Sequence, residues 1–504
     1  MSNLKNELKK HTEQIFLFSL GIMFLVTRFY KLMDTAGLNC DETVMQYNIF
    51  SLAKYGVDRY NRVFPIYFQN RISGQSPLYV YLTVPLVKIF GFSTFICRIP
   101  QIIGGLIVLI SGYLLVKRSL SQRAAYIYTI LVLICPFFVM SERFALDCTL
   151  ALPCMITGLL FERLYFDTGK SRYVWLTGIA YGLMIYSYII TVIFLFIHYL
   201  GLLIQKVDNR RNVVKIIGVT TLVCIPMIYF IGVITGILPE LETKWFTISN
   251  VSGSRISEIQ FSISNLTDLF KLTFSFDESF NFDSMPSYGT LYLWSVPLAI
   301  VGIFFLLTHH HYSIVLNLVE LTIMYLFISN LATYKILLIF FPVICTVAYV
   351  LDVLLDQTVI FGVMCAAIYL VGFCFFYNAY LGLDHYLYFD RSLYSISQSL
   401  SLEEDSWIDT SGVFIGEGYV MLGTLCNPED IVYSDAGVAI KIGELELNTK
   451  EPEIGKQTYY VRDYVDYVYK DNFGKNVLKI ASDLIDANYS TNQEGQYYVF
   501  ERSD

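Results

Sequence analysis

Long apolar stretches separated by short polar loops make up the chain as far as residue 381. A helix needs about 20 apolar residues to cross a bilayer. We predict about 11 such spans (range 10–13) by this criterion. The apolar run 173–205 is divided near Tyr188, because one helix of that length would overshoot the bilayer. The predicted spans are 13–33, 98–116, 124–141, 148–166, 173–188, 190–205, 213–236, 290–308, 312–329, 335–351 and 358–381.

The pattern changes after residue 382, where apolar runs become short and polar residues are frequent. Gly412–Leu422, Thr458–Val468 and Gln496–Glu501 resemble strands, and Lys475–Asn488 favours a helix. We therefore predict a transmembrane domain over 1–382 and a small α+β domain over 383–504.

Charge supports the same division. The chain is 55% hydrophobic and 15% charged with a net charge of −8, whereas soluble domains carry about 25% charged residues. From Asp384 onward there are 22 acidic and 9 basic residues, a net of −13, which leaves +5 for the first 383 residues. No basic patch lies outside the short loops, which argues against nucleic-acid binding.

Clusters of Lys and Arg define the predicted topology, because such clusters favour the cytoplasmic side. With these spans, four clusters fall on one side, and an odd number of spans places the tail on the other. No cleavage site follows the first apolar segment, so we interpret it as a retained span. The prediction is a multi-pass plasma-membrane protein whose N-terminus is cytoplasmic and whose tail is extracytoplasmic. The clusters are Lys5/Lys9/Lys10, Lys117/Arg118/Arg123, Arg163/Lys170/Arg172 and Lys206/Arg210/Arg211/Lys215.

Two loops would then face outward with the tail, namely 34–97 and 237–289. In the first loop, Met45, Ile49, Leu52 and Ala53 recur at helical spacing, which suits a helix along the membrane surface. Leu78–Phe90 is a second apolar stretch, short for a span.

Asp41 and Glu42 open that first helix. One interpretation is structural, because Asn39 and Glu42 have the spacing of a capping box and carboxylates favour a first turn. The other is catalytic, because a carboxylate at the membrane surface can take a proton from an incoming hydroxyl.

Two further pairs of residues are candidates on the same outer face. Arg143 and Asp147 have i,i+4 spacing, which suits either a salt-bridged helix end or a functional pair. Tyr334 and Lys335 begin the tenth span, where an interfacial tyrosine and a snorkelling lysine are the usual arrangement.

Cations are unexpectedly frequent in the first outer loop, which contains Arg59, Arg62 and Arg71. Because Lys and Arg normally favour the cytoplasmic side, these residues suggest an anionic ligand at the outer leaflet, such as a lipid phosphate.

These motifs resemble those of the GT-C fold membrane glycosyltransferases, in the protein mannosyltransferase-like and aminoarabinose-transferase-like branch. The resemblance covers roughly residues 13–350. The residues that carry it are Asp41-Glu42-Thr43, Ser76-Pro77-Leu78-Tyr79, Phe90-Gly91-Phe92-Ser93, Arg98-Ile99-Pro100, Arg143 to Asp147, and Tyr334-Lys335 followed by Pro342.

The resemblance implies transfer of a sugar from a polyprenyl phosphate to an acceptor hydroxyl on the outer face, in modification of the cell-envelope glycan. It implies that Asp41 is the base, with Glu42 and Asp147 as further acidic site residues. Arg143, Lys335, Tyr334, Arg71 and Arg59 would contact the lipid phosphate. No glycine-rich phosphate loop suggests a nucleotide donor instead.

Some relatives have a metal-binding Glu just before the Pro-Leu-Tyr segment, where this chain has Gln75, and a neutral amide is a poor ligand. We therefore expect no required cofactor or metal, although Glu42, Asp147 or Glu258 could supply ligands to a divalent ion. The acceptor stays open between an envelope polymer, a lipid and a protein. The main alternative function is a transporter or lipid flippase for envelope precursors.

Overall fold

The computed structural model describes residues 2–35, 37–70, 73–206, 209–251, 253, 255–274, 285, 287–383, 389–410, 413, 415–448, 452, 454–462, 474–487 and 489–502. The chain divides into two compact units. The helical unit comprises Met1–Met33, Arg98–Ile231 and Ser254–Gly382, and the sheet unit comprises Asp34–Cys97, Gly232–Gly253 and Leu383–Asp504.

The helices of the described residues, in chain order, are α1 Ser2–Phe29, α2 Cys40–Lys54, α3 Leu78–Phe90, α4 Thr94–Ser119, α5 Gln122–Ile134, α6 Pro136–Ser141, α7 Ala151–Thr168, α8 Arg172–Ser187, α9 Val192–Gln205, α10 Arg210–Val223, α11 Ile225–Ile234, α12 Asn265–Phe274, α13 Ser295–Thr308, α14 Tyr312–Tyr325, α15 Phe340–Gln357, α16 Val359–Leu381, α17 Ser392–Ser397, α18 Gly416–Thr424 and α19 Gly474–Asp486. The strands are β1 Leu38–Asn39, β2 Phe68–Asn70, β3 Ser73–Gln75, β4 Leu241–Glu242, β5 Thr247–Ile248, β6 Phe389–Asp390, β7 Ser406–Asp409, β8 Ile431–Tyr433, β9 Ala439–Ile442, β10 Leu445–Asn448, β11 Thr458–Arg462, β12 Tyr489–Glu494 and β13 Tyr497–Arg502.

A helix overlaps each of the eleven predicted spans, and the predicted break at Tyr188 ends α8. Among the described residues, four helical segments are long and apolar enough to cross a membrane, and a fifth counts if α10 and α11, bent by 64°, form one span. The number of spans therefore stays a prediction. The four segments are Thr94–Ser119, Asp147–Thr168, Leu337–Gln357 and Val359–Leu381.

Long helices of the helical unit pack side by side, with α7 along α8, α8 along α10, and α15 between α5 and α13. Glycines allow the close approaches: a Cβ at Gly158 would lie 2.3 Å from the ring of Tyr181, and one at Gly178 would lie 2.6 Å from Val219. This packing fixes the two ends of α7, next to which Asp147 and Glu162 lie.

The described residues of the tail form a seven-stranded sheet in the order β12-β13-β11-β7-β10-β9-β8. Strand β7 pairs in parallel with β10 and β11, whereas the other pairs are antiparallel. Helix α19 packs against β11 and β12, and its Leu484 joins Trp407, Tyr459 and Phe500 in one core. The predicted small α+β tail is confirmed as a sheet domain.

The strand predicted at Gly412–Leu422 is wrong, because this part of the chain contains helix α18. The strand predicted at Thr458–Val468 is confirmed as β11 as far as Arg462, and residues 463–468 lie outside the described residues. The predicted helix at Lys475–Asn488 is confirmed as α19 as far as Asp486, and Asn488 lies outside the described residues. The predicted strand at Gln496–Glu501 is confirmed as β13.

The first outer loop and the tail fold together in the sheet unit. Leu38 and Asn39 pair with Asp390 and Phe389 as β1 and β6, and α18 packs against α2. Tyr419 Oη donates to the carbonyl of Leu38 at 2.8 Å. Helix α2 was predicted at the membrane surface, but its side chains from Thr43 to Leu52 are all buried, so α2 is a core helix of this unit.

Candidate functional site

The N-terminus of α2 holds the first pair of candidate acids. Asn39 caps the helix, accepting hydrogen bonds from the backbone N–H groups of Asp41 and Glu42, while Glu42 Oε2 accepts from the backbone N–H of Asn39 at 3.3 Å. The capping box is therefore present as predicted. Glu42 is fully buried, and its Oε1 accepts from Gln46 Nε2 at 3.0 Å, so this carboxylate holds the start of the helix together.

Asp41 has a different setting, because the cap uses its backbone N–H and its side chain stays partly exposed. The hairpin of β2 and β3 holds it in place: Asn70 Nδ2 donates to Asp41 Oδ1 at 2.8 Å, and Gln75 Nε2 lies 3.4 Å from the Asp41 carbonyl. The residue is thus an oriented and accessible carboxylate at a helix N-terminus.

Arg59 is a buried cation of the first outer loop. Its side chain is fully buried between the rings of Tyr60 and Tyr433, with the guanidinium carbon 4.8 and 5.4 Å from their centroids. Among the described residues, none of its guanidinium nitrogens has a hydrogen-bond acceptor. Arg71 lies outside the described residues. The phosphate contacts predicted for both arginines stay predictions.

Lys335 anchors a second cluster, in the helical unit. Its Nζ donates to Glu258 Oε2 at 2.6 Å, and the residue is 5% exposed. It precedes the candidate span Leu337–Gln357 and so lies outside it. Burial lowers the pKa of Lys335 below its usual value, and this effect outweighs the hydrogen bond that Lys335 donates to Glu258.

Arg255 is the functional candidate that the sequence analysis missed. Its NH1 donates to Glu258 Oε1 at 2.9 Å, and its guanidinium carbon lies 5.9 Å from the centroid of the Tyr334 ring. Tyr334, Glu258 and Asp147 all contribute to holding the pKa of Arg255 above its usual value, although burial opposes them. The structure therefore groups Asp147, Tyr334 and Lys335 around Arg255 and Glu258.

Local backbone pairing explains this grouping. Arg255 and Glu258 are three residues apart in a 3-10 turn, where side chains at i and i+3 share one face. The backbone N–H of Ser329 donates to the Glu258 carbonyl at 2.9 Å, and Ile259 bridges Ile328. The turn is thereby fixed beside the loop that carries Lys335.

Asp147 begins a short 3-10 helix that runs into α7, and the residue is 5% exposed. Its carbonyl accepts from Ser187 Oγ at 3.1 Å, which joins this turn to the end of α8. The Asp147 carboxylate also helps to hold the pKa of Arg255 above its usual value.

Arg143 contacts the end of α1. Its NH1 donates to the carbonyls of Thr27 and Arg28 at 2.8 and 3.0 Å, and its NH2 donates to that of Tyr30 at 2.9 Å. The last carbonyls of a helix lack partners within the helix, so Arg143 acts here as a C-terminal cap. Its predicted phosphate contact is not tested by this geometry and stays a prediction.

A motif search would not have found Arg255, because the surrounding segment has neither a hydrophobic period nor a recognisable motif. Its only signal was a pair of opposite charges three residues apart in an outer loop. In the described part of the chain, no three His, Cys, Asp or Glu side chains are grouped so that they could hold a metal ion.

The chain resembles known membrane glycosyltransferases in sequence and in fold. Residues 74–234 match the family model of dolichyl-phosphate-mannose-protein mannosyltransferases. No curated protein sequence matches the chain.

Solved structures give longer matches. ArnT from Cupriavidus metallidurans in the apo state matches with a TM-score of 0.60 at 13% identity, over 98% of each chain. The same enzyme bound to undecaprenyl phosphate matches equally well, over 97% of this chain and 98% of that one. AglB, the oligosaccharyltransferase of Archaeoglobus fulgidus, was solved with an inhibitory peptide and a dolichol-phosphate. It matches with a TM-score of 0.55 at 14% identity, over 82% of this chain.

The chain spans 64% of the length of that archaeal enzyme. Because these identities are low, the structural matches establish the fold alone. The resemblance predicted from the sequence is confirmed at that level.

Proposed function

Starting from the GT-C fold of this membrane protein, we propose that the chain is a glycosyltransferase that moves a sugar from a polyprenyl-phosphate donor to an acceptor hydroxyl at the outer face of the membrane. The observation that carries the proposal is Asp41, a partly exposed carboxylate held by Asn70 beside a buried, capping Glu42. The ligands of ArnT and AglB, undecaprenyl phosphate and dolichol-phosphate, support a donor of this class.

Asp41 acts as the general base in the proposed reaction. The acceptor oxygen attacks the anomeric carbon of the donor and forms the new glycosidic bond, while its proton passes to the Asp41 carboxylate. The bond between the anomeric carbon and the phosphate oxygen breaks, and the electron pair leaves with the polyprenyl phosphate. Asn70 keeps the carboxylate oriented, which avoids reorganisation during the transfer.

Lys335 and Arg255 stabilise the negative charge that develops on the leaving phosphate. Lys335 is buried and Arg255 is partly buried, and the two cations share Glu258 as an acceptor, so they are fixed before a ligand binds. Fixed charges of this kind are worth more in a water-poor site than in bulk water. Tyr334 and Asp147 position Arg255, and Arg59 and Arg71 remain candidates for phosphate contacts.

Glu42 and Arg143 have structural roles in this proposal, as caps of α2 and α1. No step is assigned to a metal, because the described residues supply no suitable cluster and Gln75 is a poor ligand. The acceptor belongs to the cell envelope as a polymer, a lipid or a protein. We propose a plasma-membrane location with the tail outside.

The experiment is a purified transfer assay with a polyprenyl-phosphate sugar and envelope acceptors, applied to Asp41→Asn. The amide keeps the size and the hydrogen bond acceptor but cannot take a proton. We expect transfer to fall by about 10²- to 10⁴-fold, while donor binding and thermal unfolding stay unchanged.

Asp34→Asn is the matched control, since Asp34 is an exposed acid of the same unit. It should retain full transfer. Undiminished transfer by Asp41→Asn would refute the assignment of the base, and the absence of transfer from every lipid-linked donor by the unmodified protein would refute the function.

A further inference from the structure

A buried group of ionisable side chains lies in the helical unit away from Lys335 and Asp147. His198 of α9 stands between two carboxylates, with Nε2 2.9 Å from Glu162 Oε2 and Nδ1 2.9 Å from Glu320 Oε2. Glu162 belongs to α7 and Glu320 to α14, so three helices meet at one imidazole. Ionisable groups among membrane helices are costly, and their presence indicates a function.

One oxygen of each carboxylate is fully engaged. Glu162 Oε2 also accepts from Tyr181 Oη at 2.9 Å, and Glu320 Oε2 also accepts from Asn317 Nδ2 at 3.1 Å. Among the described residues, neither Oε1 atom receives a hydrogen bond. The two side chains keep 11% and 9% of their surface accessible. The free oxygens are therefore available to a ligand.

A cavity of about 310 Å³ adjoins these oxygens. Its wall combines the acidic group with apolar side chains such as Leu202, and Lys206 contributes a cation. Gly201 leaves room beside Glu320, because a Cβ there would lie 3.1 Å from Glu320 Oε1. The cavity thus offers acceptors on one side and an apolar surface on the other.

This cavity is separate from the cluster that contains Lys335, Arg255 and Asp147. Asp147 and Glu162 lie 15 residues apart along the same continuous helical segment, Asp147–Thr168, and a helix of that length extends about 22 Å. The two sites therefore lie near opposite ends of this segment.

The charge of the acidic group calls for a cation. Two carboxylates and one imidazole carry a net negative charge whether or not the imidazole is protonated. Among the described residues, the wall cations Lys206 and Arg163 form no ion pair with either carboxylate, and a charge without a paired counter-charge is unfavourable in a buried site. The cluster offers acceptors at two free carboxylate oxygens. A ligand with several N–H donors on a positive centre satisfies both requirements.

We propose that the Glu162–His198–Glu320 cavity binds a primary ammonium group, with the two free Oε1 atoms as acceptors. Lys206 is placed to attract an anionic part of the same ligand, and the apolar wall accommodates its methylene groups. The ammonium can come from an aminophospholipid headgroup or from a free amine, and these two sources share the same chemistry.

Thermal unfolding of the full-length protein in detergent tests this proposal, with ethanolamine as the probe. The midpoint should rise in a saturable manner with ethanolamine. It should not rise with sodium chloride or tetramethylammonium chloride at equal ionic strength, because tetramethylammonium has the charge without N–H donors. Glu320→Gln should abolish the rise.

Two further variants separate binding from misfolding. Gly201→Ala keeps every charge but crowds Glu320 Oε1, and it should weaken the response to ethanolamine. Asp356→Asn alters an exposed acid elsewhere in the same unit, whose side chain is 66% accessible, and it should leave the response unchanged.

Added phosphatidylethanolamine distinguishes the sources. Competition with ethanolamine, absent with phosphatidylglycerol, assigns the site to a lipid headgroup, whereas binding of ethanolamine without competition assigns it to a soluble amine. The proposal is overturned if sodium and ethanolamine act alike, or if Glu320→Gln responds as the unmodified protein does. Neither readout depends on sugar transfer.

Discussion

Asp41 and Glu42 show how two neighbouring carboxylates acquire different roles from their surroundings. The capping role of Glu42 was predictable, because Asn39 and Glu42 have the spacing of a capping box. The hydrogen bond from Asn70 was not predictable, because the two residues are 29 positions apart and no sequence period relates them. Local motifs can thus nominate a pair of acids, but burial decides which one remains accessible.

Asn70 should act as a positioning residue for Asp41. Asn70→Ala removes the donor that holds Asp41 Oδ1 and leaves the carboxylate in place. We expect kcat to fall by about ten- to a hundredfold, since small errors of placement are expensive in transfer reactions, while KM for the donor stays unchanged. Steady-state kinetics would measure this. Asp34→Asn, at an exposed position of the same unit, should keep full activity, and an equal loss in both variants would contradict the positioning role.

Lys335 should make donor binding depend on pH. Burial lowers the pKa of its ammonium, and only the ammonium attracts a phosphate. Donor affinity should therefore be fully present below this lowered pKa and decline as pH rises through it, at a lower pH than for an ordinary lysine. Lys335→Arg stays charged throughout this range and should flatten the profile. Dissociation constants of the donor measured at several pH values test this prediction. Identical pH profiles for the unmodified protein and Lys335→Arg would exclude Lys335 from the phosphate site.

The same shift has an opposite consequence for stability. Between the folded and the unfolded pKa of Lys335, the unfolded chain binds more protons, so this residue makes the protein more stable as pH rises. A loss of donor binding at high pH could not then be attributed to destabilisation by Lys335.

Helix α18 is the element that the sequence analysis assigned wrongly. The run Gly412–Leu422 is short and apolar with two glycines near its centre, and such runs do not distinguish a strand from a buried helix. The tertiary fold decides in favour of a helix because α18 packs on α2, where Gly418 lies against Thr43 and Val44. Long apolar helices such as α4 and α16 were predicted well, because their length excludes a strand.

Gly418→Ala should destabilise the sheet unit. Its Cβ would lie 2.6 Å from Thr43 Oγ1 and 2.9 Å from Val44 Cγ2, so the two helices would have to separate. Overpacking of this kind costs about 1–3 kcal/mol, which calorimetry would detect as a lower unfolding temperature. Gly218→Ala is the control, because a Cβ there meets nothing within 4 Å. A Gly418→Ala protein that is no less stable would contradict the close approach.

At the scale of the whole molecule, the composition of the chain changes beside a boundary between the two compact units. The change in charge near residue 383 coincides with the boundary between Gly382 and Leu383. Composition could not show that residues 34–97 join the tail in one unit, because this depends on pairings such as Leu38 with Asp390. Long-range pairing of two-residue strands leaves no pattern in a single sequence.

The tail should consequently be less ordered when it is separated from the first outer loop. An isolated 383–504 segment loses the β1–β6 pairing and the bond between Tyr47 Oη and the carbonyl of Cys426. Hydrogen–deuterium exchange should therefore be faster in α18 of the isolated segment than in the full chain. The β12–β13 hairpin, which pairs within the tail, should exchange alike in both, and equal protection of α18 would show that the tail folds alone.

The contact between Leu38 and Tyr419 also bears on the order of events during synthesis. The two residues are 381 positions apart, so the backbone that precedes Asp41 acquires this partner only after synthesis has passed Tyr419. Pairings at such separation form late and leave surface exposed to chaperones and proteases. A translation product truncated before Tyr419 would therefore lack this support for the base, and the activity proposed here would be acquired only after Tyr419 has been made.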